Sequence, residues 1–256
     1  MDPGQTVNSA SDTTHFHCTG CGRCCTGHHV PLTLSEARAW VDDGGQVIVL
    51  VEAFLANGLG LPAEQQEHAR RRSCAVPCGD TEAYVAITFA AFNPGPCRNL
   101  DAELRCLIYE RRPLVCRIYP MEINPHIPLR PQAKDCPPEA WESGEALIHR
   151  ERVVDPKLMA LIEQSRQADR DDIRNKALVC QRLGIDTSAL KGNGFTAYLP
   201  DTGALRQAML ETAVDTQAAL AAWVLHVEDG DLAGKLDSAG ARVTGTSAGH
   251  YSFIGF

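Results

Sequence analysis

Four cysteines occur within eight residues near the start of the chain, in the run Cys18-Thr19-Gly20-Cys21-Gly22-Arg23-Cys24-Cys25. A C-x-x-C spacing lets two thiolates bind one metal ion, because the intervening residues turn the backbone and direct its N–H groups toward the sulfurs. Repetition of this spacing brings three sulfurs together, those of Cys18, Cys21 and Cys24, as in ferredoxin-type iron–sulfur segments. The run therefore predicts a metal centre.

The fourth cysteine of the run, Cys25, directly follows Cys24. Adjacent side chains diverge, and binding both sulfurs to one ion would close a small, strained ring. We therefore predict that Cys24 and Cys25 bind different metal atoms, either in two neighbouring sites or in one polynuclear centre. A disulfide framework is the alternative interpretation. It is disfavoured because the chain shows no secretory signal and is larger than the small secreted domains that depend on disulfides.

Composition limits the partners that the chain can have. Its 256 residues carry a formal net charge of −8, with a pI near 5.6. This balance argues against a general nucleic-acid surface and against an anionic-membrane surface, since both need a basic face. Residues 1–16 lack the charged and apolar pattern of an export signal, and the longest apolar run, Val47–Ala56, is too short to cross a bilayer. We expect a cytoplasmic protein with no nucleic-acid or membrane partner.

A second set of cysteines lies in a Pro- and Arg-rich segment, residues 97–138, at Cys97, Cys106, Cys116 and Cys136. The segment shows little apolar periodicity, so cross-linking by metal would have to supply the stability that packing does not. Arginines accompany these cysteines and could offset the negative charge of a four-thiolate site or pair with nearby carboxylates: Arg98, Arg105, Arg111, Arg112 and Arg117. Five histidines also flank the cysteines and could replace a thiolate or bind a labile metal: His15, His17, His28, His29 and His126.

Three further cysteines lie outside these blocks. Cys74 and Cys78 could complete another metal site or form a redox pair, although their x-x-x spacing is looser than that of a zinc knuckle. Cys180 falls on the apolar face of a predicted helix and is interpreted as a small buried hydrophobic residue.

The remaining patterns predict an α+β fold that is mostly α, with an irregular, metal-stapled cysteine-rich domain packed against C-terminal helices. A capping box at Thr33–Glu36 begins a short helix, and residues 84–92 are typical of a buried strand. Residues 46–55 are compatible with a strand or a buried helix. Long helices are predicted from Asp155 to about Gly184 and from about Thr202 to Val227, with a short strand at 195–199 between them.

These patterns divide the chain into four segments: a disordered tail (1–15), a cysteine-cluster metal-binding domain (16–140), a helical region (141–228) and a Gly- and Ser-rich C-terminal tail (229–256). The last six residues hold three aromatic side chains, which indicates either that the tail folds back onto the protein or that it docks on a protein partner. A G-x-S-x-G match at 245–249 lacks the following helix that a nucleophile elbow requires.

With both cysteine blocks considered, the chain resembles the CxxCxxCC, or YkgJ-like, cysteine-cluster family of zinc- or iron-chelating proteins. The matching blocks are Cys18–Cys25, Cys97–Leu100, Cys106–Pro113, Cys116–Pro120 and Cys136, within residues 16–138. The resemblance implies eight metal ligands: Cys18, Cys21, Cys24, Cys25, Cys97, Cys106, Cys116 and Cys136. Flagellin lysine methylases carry a similar cysteine pattern with an iron–sulfur cluster.

Eight thiolates suit two tetrahedral zinc ions or two iron–sulfur clusters equally well by count. The three-cysteine run, the vicinal cysteines and the Cys136-Pro137 pair favour an iron–sulfur cluster or iron, with zinc as the alternative. The expected function is metal binding, with a redox or enzymatic role left open. Two other hypotheses are an S-adenosylmethionine-dependent protein lysine methyltransferase and a zinc-stapled protein-interaction module.

Overall fold

The protein was examined as a computed structural model, which describes residues 13–57, 61, 63–245 and 249–255. Within these residues, the chain forms two compact units. Unit one consists of the described part of Met1–Gly27 together with Gly95–Gln164, and unit two of His28–Pro94 together with the described residues from Ser165 onward. Among the described residues, no helix has the length and apolar character needed to span a bilayer. The predicted tail at 1–15 falls outside the described residues except for Thr13–His15.

The strands, in chain order, are β1 (Thr13–Phe16), β2 (Val30–Leu32), β3 (Val47–Leu55), β4 (Cys74–Cys78), β5 (Thr81–Ala91), β6 (Glu145–His149), β7 (Arg152–Val153), β8 (Thr187–Leu190), β9 (Gly194–Tyr198), β10 (Val224–His226), β11 (Val243–Thr244) and β12 (Ser252–Gly255). The α-helices are α1 (Leu34–Asp42), α2 (Ala63–Arg70), α3 (Leu114–Ile118), α4 (Pro156–Asp171), α5 (Ile173–Arg182), α6 (Thr202–Val214) and α7 (Gly230–Ser238).

The prediction of a mostly α fold is wrong, because the chain is 35% helix and 26% strand and has an α/β fold. Nine of the described strands form one mixed sheet in unit two, with the central order β11-β10-β8-β3-β5-β2. β3 pairs antiparallel with β5 along its whole length, from Val47 opposite Ala91 to Leu55 opposite Ala83. β8, β10 and β11 run parallel to one another. Cross-strand pairing of residues more than a hundred positions apart leaves no periodic signal in the sequence, and this pairing is what the prediction missed.

The core of unit two lies on β3 and β5, where apolar β-branched and aromatic side chains are almost completely buried. Val49, Val51, Phe54, Val85 and Phe89 each expose 1% of their surface or less. A run of 4 to 9 buried apolar residues is compatible with a strand or a helix, and the pairing partner decides between them. Residues 46–55, which the sequence left open, thus form a strand.

The helix predictions for unit two are confirmed in part. Thr33 caps α1 as expected, with its hydroxyl accepting from the Glu36 amide and the Glu36 carboxylate accepting from the Thr33 amide. The long helix predicted from Asp155 is instead two helices, α4 and α5, separated at Asp172. The last predicted helix ends at Val214, and residues 224–226 form strand β10. The C-terminal tail folds back, since β12 pairs antiparallel with β9.

Unit one has a small sheet, in the order β1-β6-β7, and its own apolar cluster. Leu114 and Ile118 of α3, Leu147 of β6, and Leu158 and Ile162 of α4 are buried together. Phe16 of β1 packs against Trp141, with ring centroids 4.9 Å apart. This cluster holds one end of α3 and one end of β1 in place, and both elements carry or adjoin cysteines.

Candidate metal centre

The first cysteine run begins directly after β1 and turns sharply at Gly22. Gly22 has φ +69° and begins a 3₁₀ turn, Arg23–Cys25, in which the Cys25 amide donates to the Gly22 carbonyl at 3.0 Å. A left-handed φ is strained for any residue with a Cβ atom. A Cβ on Gly22 would also lie 3.0 Å from the Cβ of Leu104. Gly22 therefore permits both the turn and the close approach of the second cysteine segment.

The two cysteine blocks are joined by backbone hydrogen bonds between residues 25–27 and 95–97. The Cys97 amide donates to the Cys25 carbonyl at 2.7 Å, and the Gly27 amide donates to the Gly95 carbonyl at 2.8 Å. An isolated antiparallel bridge between Thr26 and Pro96 lies between them. Residues about 70 positions apart in the sequence thus become neighbours, and Cys25 and Cys97 are brought together.

A tight loop places Cys106 beside this junction. Asp101 organises the loop, because its Oδ1 atom accepts from the amides of Glu103 at 3.0 Å and Arg105 at 2.8 Å. These hydrogen bonds and the Arg105 guanidinium hold the pKa of the Asp101 carboxyl below its usual value. The Leu107 amide donates to the Asn99 carbonyl at 2.8 Å, and Leu100 and Cys106 form an antiparallel bridge.

Cys116 lies on α3, on the face opposite the apolar cluster. Leu114 and Ile118 are four residues apart and therefore lie on one side of the helix, and both are buried. Cys116, two residues from each, points to the other side. Because α3 packs against the apolar cluster through Leu114 and Ile118, the Cys116 thiol is oriented toward the cysteine loops.

Cys136 contacts Tyr119, which follows α3. The Cys136 Sγ and Tyr119 Oη atoms are 3.4 Å apart and hydrogen bonded. Burial raises the pKa of the Tyr119 hydroxyl, and the hydrogen bond to Cys136 raises it further. Tyr119 was not singled out from the sequence as a site residue. The signal that could have found it is its place in the Cys116–Pro120 block that matches the family.

Electrostatic coupling divides the eight thiols into two groups. Burial raises the pKa of Cys116 to about 12, and the charges of Cys25, Cys97 and Cys106 add to the increase. Burial likewise raises the pKa of Cys97, with further contributions from Cys25 and Cys106. We call these four cysteines the inner group: Cys25, Cys97, Cys106 and Cys116.

The other four thiols affect one another in the same way. The pKa of Cys24 is raised first by its hydrogen bond to Cys25 and by burial, and then by the charges of Cys25, Cys136 and Cys18. Burial raises the pKa of Cys136, and Cys21 and Cys18 raise it further. We call this set the outer group: Cys18, Cys21, Cys24 and Cys136. Cys24 and Cys25 belong to different groups although their Sγ atoms are only 3.8 Å apart.

The chemistry of both groups fits zinc or iron. Each group has four thiols, the ligand number of a tetrahedral zinc ion or of an iron–sulfur cluster. Raised thiol pKa values mean that these neighbouring sulfurs cannot all ionise without a compensating charge, which a bound cation supplies. Within the described residues, no group of three or more His, Cys, Asp or Glu side chains is arranged so that it could hold a metal ion.

The arginines of this segment have different surroundings. Arg105 pairs with Asp101 and Glu103, and Arg112 lies over the Tyr109 ring at 3.7 Å from its centroid. The charge of Arg112 lowers the pKa of Cys116, and that of Arg98 lowers the pKa of Cys97, each against the larger effect of burial. Carboxylate pairing and charge compensation of the thiols, both anticipated from the sequence, thus occur together.

The remaining cysteines lie in unit two, apart from these groups. Cys74 and Cys78 are buried on one face of β4, about 13 Å apart along the strand. A disulfide requires Cα atoms within about 7 Å, so this pair cannot form one without rearrangement. Cys180 is fully buried in α5, as its apolar surroundings predicted.

A family model matches the part of the chain that holds these cysteines. Residues 17–181 match the model of the CxxCxxCC family, described as "Putative zinc- or iron-chelating domain". The match covers more than half of the chain, and the protein belongs to this family. No curated protein and no solved structure matches the chain.

Proposed function

We propose that this protein binds iron in two neighbouring four-thiolate centres, as iron–sulfur clusters with a redox role. The inner group would be held by Cys25, Cys97, Cys106 and Cys116, and the outer group by Cys18, Cys21, Cys24 and Cys136. The observation that carries the proposal is the meeting of the two cysteine blocks, in which the Cys97 amide donates to the Cys25 carbonyl at 2.7 Å and the Sγ atoms of Cys24 and Cys25 are 3.8 Å apart.

The distance between the Cys24 and Cys25 sulfurs limits how far apart the two proposed centres can lie. With metal–sulfur bonds of about 2.3 Å, metals bound to two sulfurs 3.8 Å apart lie no more than about 8 Å from each other. Electrons pass readily over such a distance between redox centres. Two clusters in this arrangement would form a continuous electron path, whereas two zinc ions would serve only the fold.

Three sequence features support iron–sulfur chemistry over zinc: the C-x-x-C-x-x-C run, the Cys136-Pro137 pair and the vicinal cysteines. The Tyr119 hydroxyl next to Cys136 adds a fourth, because hydrogen bonds to ligand sulfurs tune the potential of a cluster. Zinc has no redox chemistry for such a bond to tune.

The proposed compartment is the cytoplasm. All eleven cysteines lie within the described residues, and none of them forms a disulfide. Thiols in this number stay reduced where glutathione and thioredoxin are present.

The test is elemental analysis and visible spectroscopy on the full chain, purified without oxygen. Iron with acid-labile sulfide and a broad visible absorption would support the proposal. A colourless protein that holds zinc would contradict it and would favour the zinc-stapled interaction module. Cys21→Ser should lose the iron of the outer group, about half of the total, while Cys180→Ala, a buried cysteine in unit two, should retain all of it. Calorimetry with S-adenosylmethionine tests the methyltransferase hypothesis on the same material.

A further inference from the structure

Two histidines on one strand have their ring orientations set by the backbone. His15 lies in β1, and His17 is the first residue after the strand. The Nδ1 atom of His15 is 3.1 Å from the Gly144 carbonyl, and that of His17 is 3.1 Å from the Ser143 carbonyl. The two rings are thus held toward the same short segment, residues 143–144.

These contacts decide which nitrogen of each ring carries the proton. A carbonyl oxygen only accepts, so both Nδ1 atoms must be the N–H donors. In the neutral imidazole the Nε2 atom then keeps its lone pair. An Nδ1–H bonded to a backbone carbonyl is the usual second-shell arrangement of a histidine that binds metal through Nε2.

Phe16, between the two histidines, packs against Trp141, with ring centroids 4.9 Å apart. Each histidine uses its Nδ1 atom for a backbone carbonyl, so Nε2 is the ring nitrogen through which each would bind a metal ion.

We propose that His15 and His17 form a second, labile metal site that takes one divalent transition-metal ion through their two Nε2 atoms. Cα atoms two residues apart in a strand are separated by about 7 Å, a spacing that two imidazoles can bridge with bonds of about 2.0 Å. Water completes the coordination. Imidazole nitrogens suit nickel, copper and zinc, with affinity rising from nickel to copper. The site is separate from the thiol centres and does not depend on which metal they hold.

The test is calorimetric titration of the full chain, as isolated with its thiol-bound metal, with Ni²⁺ under anaerobic conditions. The unmodified chain should bind one Ni²⁺ reversibly. The double variant His15→Ala/His17→Ala should bind it at least tenfold more weakly, with no change in the iron or zinc content of the thiol centres. The control His28→Ala/His126→Ala removes two other exposed histidines near the cysteines and should bind Ni²⁺ as the unmodified chain does.

An unmodified chain that binds no Ni²⁺, or a His15/His17 variant that binds it unchanged, would overturn the proposal. A second measurement on the unmodified chain avoids any folding defect of the variant. Ni²⁺ should shift or broaden the imidazole NMR signals of His15 and His17 before those of any other histidine, and signals that stay unchanged would also refute the site. Iron and zinc analysis of the same samples reports on the thiol centres separately.

Discussion

The Sγ atoms of Cys24 and Cys25 are 3.8 Å apart, yet each thiol is coupled to a different set of distant cysteines. Cys24 is influenced by Cys18 and Cys136, whereas Cys25 acts on Cys97 and Cys116. Both residues lie in the 3₁₀ turn Arg23–Cys25. The vicinal pair is thus the point at which the inner and outer groups meet.

The division predicts that paired cysteine substitutions are not additive. Cys24→Ser should remove about half of the bound metal, since it breaks the outer group alone. Adding Cys136→Ser, in the same group, should cause little further loss, whereas adding Cys25→Ser should remove nearly all of the metal. Elemental analysis of the three variants provides the measurement. Equal metal loss in both double variants would show that the eight thiols form one centre.

Gly22 is expected to be more sensitive to substitution than Gly20. Both residues have a left-handed φ, +68° for Gly20 and +69° for Gly22, so an alanine at either should cost about 1 kcal/mol from backbone strain. A Cβ at Gly20 meets nothing within 4 Å, but at Gly22 it meets the Leu104 side chain. Gly22→Ala should therefore cost about 1–2 kcal/mol more than Gly20→Ala in urea unfolding. Equal costs would mean that Leu104 moves away freely.

Tyr119→Phe should leave the metal bound and lower the reduction potential of the outer centre. The Cys136 thiol donates to the Tyr119 hydroxyl at 3.4 Å. Once the sulfur binds metal as a thiolate, the hydroxyl would donate to it and stabilise the more negative, reduced form. A bond to a charged group contributes about 1.5 kcal/mol, which for a one-electron couple corresponds to a decrease of up to about 60 mV. Anaerobic redox titration measures the reduction potential of the variant. Tyr109→Phe, at an exposed tyrosine, is the control and should leave the potential unchanged. An unchanged potential would remove Tyr119 from the site.

A buried ion pair, Lys176 with Asp169, should stabilise unit two. Lys176 is 3% exposed, and its Nζ atom is 3.1 Å from Asp169, which Arg72 also contacts. Asp169→Asn leaves the lysine charge without its partner and should cost about 3 kcal/mol in urea unfolding. Lys176→Met leaves Asp169 paired with Arg72 and should cost less. The reverse order would contradict this role for Asp169.

The same pair predicts an acid dependence of stability. Burial raises the pKa of Asp169, but Lys176 and Arg72 outweigh it and hold the pKa below its usual value. As the pH falls, the Asp169 carboxyl therefore takes up a proton in the unfolded chain before it does so in the folded chain. The stabilisation by Asp169 is complete above about pH 4 and is lost as pH falls through the folded-state pKa. Because burial raises the pKa of nearby Asp172, the difference between the unmodified chain and Asp169→Asn is the quantity to measure. That difference should shrink between pH 5 and about pH 3.

Local signals in the sequence were enough for several elements and for the family. The capping box at Thr33 and Glu36 places the start of α1 correctly, since both hydrogen bonds form within four residues. The cysteine blocks identify the family, and the spacing of Cys24 and Cys25 predicts that they bind different metal atoms. The buried environment of Cys180 follows from the period of its helix.

At Trp223 and Val224, the local pattern of the sequence predicts the wrong secondary structure. Their apolar character extends the helical pattern of α6, but the structure places Val224 in β10, where it pairs with Thr187 of β8. The alternative to the helix was a strand whose partner lies almost 40 residues away, and nothing near Val224 indicates it. The docking of the C-terminal tail on a protein partner stays a prediction.

By itself, the sequence determined to which family the chain belongs, because residue types and short spacings are local properties. The set of eight ligands that it predicts stays a prediction. Only the tertiary structure decided how the thiols divide into an inner and an outer group. It also decided that residues 28–94 share a sheet with the C-terminal part of the chain. Both depend on contacts between distant residues, such as the hydrogen bond from Cys97 to Cys25 and the pairing of β3 with β8 and β9. Such contacts are selected by the burial of apolar surface in the whole fold, which no short stretch of sequence records.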